Sequence, residues 1–104
     1  MWKLFFNLSN LPRRFGAIGG GPISCELAQA FLRLGSQVTL MTHNAHLLPK
    51  DDSLAQKRLQ EILEKEGMQI FTQSKIVKIE KRGKEKVIYL ENQVEPIVVD
   101  ELFV

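Results

Sequence analysis

The sequence predicts an α/β protein: a parallel sheet flanked by helices, with an antiparallel β-meander inserted near its C-terminus. Three observations predict it. A short apolar strand, a glycine turn, a one-faced helix and a second strand follow one another between residues 15 and 42. A second helical pattern, closed by Gly67, then leads into another apolar run at residues 68–72. Beyond it the apolar period changes from that of a helix to two, on both sides of Arg82-Gly83-Lys84.

In the first unit the strand ends at Gly19, and Gly19, Gly20 and Gly21 form the turn. Gly21 lacks the Cβ that would keep backbone amides from closing on a diphosphate. Pro22 suits the first helical position, where a backbone N–H is unpaired in any case. The free amides of that first turn, Ile23 and Ser24 among them, and the positive end of the helix dipole make an anion site. The layout is that of a Rossmann-like dinucleotide-binding βαβ unit. Ser24 stands where a third glycine is usual, which predicts a small change in helix–strand spacing rather than loss of the site. The helix follows from Ile23, Leu27, Ala30, Phe31 and Leu34, an apolar stripe at helical spacing, and Gly35 caps its end. Residues 38–41 supply the second strand.

A carboxylate at the end of that strand would normally take the ribose hydroxyls of NAD. Here the strand runs into Thr42, His43 and Asn44. Nothing there repels a 2′-phosphate, and each of the three can hydrogen-bond to one, yet no arginine is present to pair it. NAD and NADP both stay open, with a lean to NADP. His43 reads equally as a ribose ligand or as a plain loop histidine. His46 reads as a loop residue, and Cys25, on the helix, has no partner cysteine, so no metal site is expected.

The second helix starts at Asp51, Asp52 and Ser53, with Gln56 placed three residues after Ser53 as in a capping box. Ala55, Leu59, Ile62 and Leu63 form its expected buried stripe. A helix of this length between strands is the usual crossover, so residues 68–72 read as a third parallel strand. Residues 76–80 and 87–91 alternate as a hairpin, residues 94–99 add a meander strand with Pro96 at an edge or bulge, and residues 101–104 open one more strand.

At 104 residues, 44% hydrophobic and 25% charged, the chain can bury one core. A net charge of +2 is too small to argue for nucleic acid. Lys75, Lys78, Lys81, Arg82, Lys84 and Lys86 cluster, but Glu80, Glu85 and Glu91 interleave with them, as on a solvated hairpin. One cysteine excludes an internal disulfide and fits a reducing, cytoplasmic setting. The N-terminal apolar run is too short and too soon interrupted for a signal or membrane segment. It leaves Trp2, Leu4, Phe5, Phe6 and Leu8 needing a surface to cover.

The run from Leu11 through the glycine turn to Ala28, with Leu34-Gly35-Ser36-Gln37-Val38-Thr39-Leu40, Leu47-Leu48-Pro49 and Val99-Asp100, resembles the NAD(P)-binding domain of FAD-dependent pyridine nucleotide-disulfide oxidoreductases. It is most similar to mercuric reductase-like and dihydrolipoamide dehydrogenase-like members. The resemblance implies residues 1–13 as a linker from a missing FAD domain and residues 14–104 as an NAD(P)-binding domain truncated at its C-terminal strand. It further implies that Gly19, Gly20, Gly21, Pro22, Ile23 and Ser24 wrap the pyrophosphate, that Thr42 and His43 lie at the adenosine ribose and that Ile76 lies near the adenine. Glu26 would face the flavin side, where the family pairs this glutamate with a lysine of the FAD domain.

In the complete enzymes hydride passes from NAD(P)H to FAD. The family's FAD fingerprint, redox-active cysteine pair and His-Glu pair are absent from this sequence, so no catalytic residue is expected in it and the chain should bind a nucleotide without turning it over. Three readings follow: a piece of a flavoenzyme, which is favoured; a free-standing nucleotide-binding or redox-sensing module; and one half of a split flavoenzyme that meets an FAD-bearing subunit. Self-association is expected through Trp2, Phe5, Phe6 and Phe103, left uncovered without that subunit.

Overall fold

The computed structural model describes residues 11–48 and 52–104. Strand β1 (Arg14–Ile18), helix α1 (Pro22–Leu34), strand β2 (Gln37–Met41), helix α2 (Ser53–Lys65) and strand β3 (Gln69–Phe71) alternate along the chain. Strands β4 (Ile76–Arg82), β5 (Glu85–Leu90) and β6 (Ile97–Val99) come next, and β7 (Glu101–Phe103) closes the order. Two sheets result: a parallel one in the order β3-β2-β1-β7, and an antiparallel one in the order β4-β5-β6. This is the α/β parallel sheet with a meander insertion that the sequence predicts.

Three consecutive residues of β1, Phe15, Gly16 and Ala17, are buried, because both faces of the central strand are covered. Phe15 and Ala17 face α1 and α2 and join Cys25, Ala28, Phe31, Val38, Leu40, Leu63 and Phe103 in the larger core. The Phe15 and Phe31 rings stack there with centroids 4.0 Å apart. On the opposite face Met41 meets Ile88, Leu90 and Val99 of the meander, with Ile18 and Leu102 beside them. A Cβ on Gly16 would come within 3.0 Å of the Val99 side chain, so a residue without a side chain lets the meander lie close on β1. The sheet is therefore flanked by helices on one face and by the meander on the other. Across that second junction Arg14 is held by Asp100, which accepts from its backbone N–H at 2.9 Å and from Nη2 at 2.8 Å, and by Glu85, which accepts from Nη2 at 2.7 Å.

Several local expectations are corrected. In α1 the buried face is Ser24, Cys25, Ala28 and Phe31, with Leu27 partly buried, whereas Ile23 and Leu34 are half exposed and Ala30 is exposed. Small side chains at positions 24, 25 and 28 let the helix approach the sheet, which turns the larger apolar residues outward. At α2 the cap is Asp52, whose Oδ1 accepts from the Ala55 N–H at 2.8 Å. Ser53 is already helical, and Gln56 instead donates from Nε2 to the Leu48 carbonyl at 3.0 Å. Leu63 is buried in α2, but Ile62 is exposed. The third meander strand begins only at Ile97, directly after Pro96, and Val94 is fully exposed. Phe103, expected to be uncovered, is in the core. Trp2, Leu4, Phe5, Phe6, Leu8 and Asp51 lie outside the described residues. Among the described residues no helix is long and apolar enough to cross a membrane.

Candidate functional site

The glycine turn joins β1 to α1 at the carboxyl end of the parallel sheet, where open α/β sheets bind ligands. Gly19 has φ +124°, a conformation that side chains resist, and its N–H donates to the Met41 carbonyl at 2.8 Å. That bond ties the ends of β1 and β2 together. The Gly20 carbonyl accepts from the Leu48 N–H at 2.7 Å and from the Cys25 thiol at 3.6 Å, and a Cβ on Gly20 would lie 3.2 Å from Thr42 Oγ1. The inner side of the turn is thus filled. Its outer side is open: a Cβ on Gly21 would meet no atom within 4 Å.

Gly21 is also the N-cap of α1, with no side-chain cap and no acidic residue in the first turn. Pro22 follows it in the first turn, and the amides of Ile23 and Ser24 belong to the group that has no intrahelical acceptor at a helix start. Unspent donors, the positive helix end and open space therefore meet at Gly21. This arrangement suits a diphosphate.

Beside the turn lies a cleft of about 320 Å³, lined by Ile18, Gly19, Thr42, His43, Ser74, Lys75 and Ile76. It brings together four residues singled out in the sequence, namely Gly19, Thr42, His43 and Ile76. The β2 end and the segment after β3 are stitched to one another to form it. The Thr42 N–H donates to the Phe71 carbonyl at 2.9 Å, the Ser74 N–H to the Thr42 carbonyl at 3.0 Å and the Gln73 N–H to the Asn44 carbonyl at 2.8 Å. Gln73 accepts a left-handed φ of +48° to make its bond. Thr42 is 2% exposed and its Oγ1 accepts from the Asn44 N–H at 3.2 Å, whereas His43 is exposed.

Ser74 and Lys75 escaped the sequence reading, Lys75 being grouped there with the basic hairpin. The available signal was topological, since the residue after a third parallel strand lands at the same carboxyl edge as the end of the second. Glu26 is not in this cleft. It is exposed and lines a separate groove with Pro22, Cys25, Gln29, Leu48 and Leu59. Cys25, 4% exposed, has its thiol pushed up to about 11, by burial first and by the Glu26 charge second, so it is a packing residue rather than a nucleophile.

A larger cleft, about 700 Å³, lies elsewhere, against the N-terminal ends of β1 and β2 and the segment before β6, with Arg14, Gln37, Glu66 and Pro96 among its lining residues. It carries both signs of charge, and its one lining glycine, Gly67, follows the C-terminal end of α2 rather than opening a helix. Size alone does not identify a site, and the unspent donors converge at Gly21 rather than in this larger cleft.

Residues 14–96 match the family model of pyridine nucleotide-disulphide oxidoreductases. The chain belongs to that family. It is 39% identical over 98 residues to a dihydrolipoyl dehydrogenase of Thermus scotoductus, a match covering 90% of this chain and 21% of that protein. To a mercuric reductase of Staphylococcus aureus it is 34% identical over 99 residues, covering 93% of this chain and 18% of the other. Among solved structures, the HOCl-induced flavoprotein disulfide reductase RclA of Escherichia coli superimposes with a TM-score of 0.81 at 29% identity, over 92% of this chain and 22% of that one. The chain thus spans about a fifth of the length of these relatives.

Proposed function

We propose that this chain is the nicotinamide-dinucleotide-binding unit of a flavin-dependent pyridine nucleotide-disulphide oxidoreductase. Residues 14–104 form that unit, with residues 1–13 leading in from a flavin-binding part. The observation that carries the reading is the space over Gly21, open to a diphosphate at an uncapped helix N-terminus, in the same turn whose Gly19 lines the Thr42–His43–Ile76 cleft. The turn from Gly19 to Ser24 wraps the pyrophosphate, with the Ile23 and Ser24 amides as its donors. Thr42 and His43 meet the adenosine ribose, and the Ile76 side chain offers the adenine an apolar surface. Glu26, exposed on the neighbouring groove, faces the flavin-binding part. The bound dinucleotide supplies the hydride, and the residues of this chain fix where it is held.

Alone, the turn supplies only part of the contacts of a complete site, so affinity for NADH or NADPH is expected in the range of about 0.1 to 1 mM, or roughly 4 to 5.5 kcal/mol. Calorimetric titration of the chain and of a Gly21→Val variant tests this. The branched side chain enters the space of the diphosphate, and equal binding by the variant would remove the proposed site.

A further inference from the structure

The chemistry of the cleft beside Thr42 is one-sided. Of its seven lining residues none is acidic, and two, Lys75 and His43, can carry positive charge. Among the described residues neither enters any ion pair, although six ion pairs engage Arg14, Arg33, Lys78, Arg82 and Lys86 nearby or elsewhere on the surface. Thr42, 2% exposed, accepts a hydrogen bond from Asn44 at its Oγ1, while its own hydroxyl proton has no acceptor among the described residues. Ser74 differs, because its hydroxyl is spent on the Thr72 carbonyl at 2.9 Å. The unspent capacity of the cleft is therefore mainly of the donor kind: one buried hydroxyl, the Lys75 ammonium and an imidazole N–H of His43.

Lys75 does not reach this place by chance of a loose loop. Its carbonyl accepts from the Glu91 N–H at 2.9 Å, and its neighbour Ser74 is bonded to Thr42 through the backbone, so its Cα is fixed on both sides. A dianionic phosphomonoester matches such a set, since it accepts several hydrogen bonds and gains from each nearby positive charge. A ribose diol matches it less well, because its hydroxyls also donate and the cleft offers no carboxylate to accept from them.

Resting on the dinucleotide reading above, we infer that Lys75 is the specificity-determining residue of this cleft: with Thr42 and His43 it receives the 2′-phosphate of the adenosine ribose, so that the chain prefers NADPH to NADH. The preference is expected at about tenfold in dilute buffer, and it should shrink as salt screens the exposed ammonium.

The test is a set of calorimetric titrations with NADPH and NADH, two ligands that differ only in that phosphate, on the chain and on Lys75→Gln, Lys75→Glu and Gly21→Val variants. Lys75 is exposed, and matching thermal melts would confirm that its variants fold. Lys75→Gln should bring the two affinities to within about twofold, and Lys75→Glu should favour NADH, both by weakening NADPH with NADH little changed. If both ligands bind the chain, Gly21→Val abolishes both, and the ratio does not respond to Lys75, the inference falls while the dinucleotide site stands. If neither ligand binds the chain, both fall together.

Discussion

Two glycines of the turn, two residues apart, should fail in opposite ways when given a side chain. Gly19 sits at φ +124°, and a Cβ there would also press to 3.1 Å from Ser24 Oγ. Gly19→Ala therefore carries a backbone penalty of about 1 to 3 kcal/mol. For a chain of this size that lowers the melting temperature by roughly 4 to 8 °C per kcal/mol, so a fall of about 8 to 16 °C is a central expectation. Gly21, at φ −76° with nothing within 4 Å of its Cβ, is ordinary extended backbone in open space. Gly21→Ala gains a few tenths of a kcal/mol by restricting the unfolded chain and loses about as much through alanine's poor capping, so its melting temperature should stay within about 4 °C of the parent. Circular-dichroism melts of both variants, followed by NADPH titration of Gly21→Val, separate a glycine needed for folding from one needed for the ligand. A Gly21→Ala variant as destabilised as Gly19→Ala would show that the turn packs against its own chain at Gly21, and the argument for an open diphosphate seat would fail.

Three further outcomes follow from the structure. Arg14 holds the Asp100 carboxyl below its ordinary value of 3.8, so the stability this pair contributes is complete above that value and is lost as pH falls from it through the lowered value of the folded chain. Asp100→Asn should melt lower than the parent near neutral pH, with the gap closing below about pH 3.8, and a gap that persists in acid would exclude the ion pair as its cause. Cys25, buried and with its thiol at about 11, should resist a disulfide exchange reagent at neutral pH and react on unfolding; prompt reaction in the native chain would contradict its place under the turn. Ile23, Leu34, Leu54, Val77 and Ile79 are exposed, and the sequence holds three aromatic residues, Trp2, Phe5 and Phe6, ahead of the described part, so sedimentation velocity should show self-association that weakens in a Trp2→Ser, Phe5→Ser, Phe6→Ser variant. A chain that stays monomeric at high concentration would count against that.

Much of the fold was legible in the sequence because β1, the glycine turn and α1 carry strong local signals. Gly19 needs its positive φ, Pro22 fits only the first turn, and Gly35 ends the helix. The hairpin was equally plain, with Gly83 at φ +59° opening a two-residue turn between Arg82 and Glu85. Periodicity failed where close packing outweighed hydrophobicity. Ile23 and Leu34 look like core residues of α1, yet Ser24, Cys25 and Ala28 are what let the helix reach the sheet. Side-chain chemistry failed at α2 in a similar way, since Asp52 and Ser53 are both good caps and only the geometry selects Asp52. In the candidate site, Gly19, Thr42, His43 and Ile76, each singled out in the sequence, line one cleft. Lys75 was hidden because it reads together with the basic residues of the hairpin that follows it, whereas Thr42 and His43, with which it lines the cleft, come from the end of β2, 33 and 32 residues earlier.

The most direct test of the account is to record amide resonances of the ¹⁵N-labelled chain while NADPH is added. The account predicts that the largest shifts fall on Gly19, Gly20, Gly21, Ile23 and Ser24 at the turn and on Thr42, His43, Lys75 and Ile76 in the cleft. Shifts confined to Arg14, Gln37 and Ile97 around the larger cleft, or no shifts at several millimolar ligand, would contradict it.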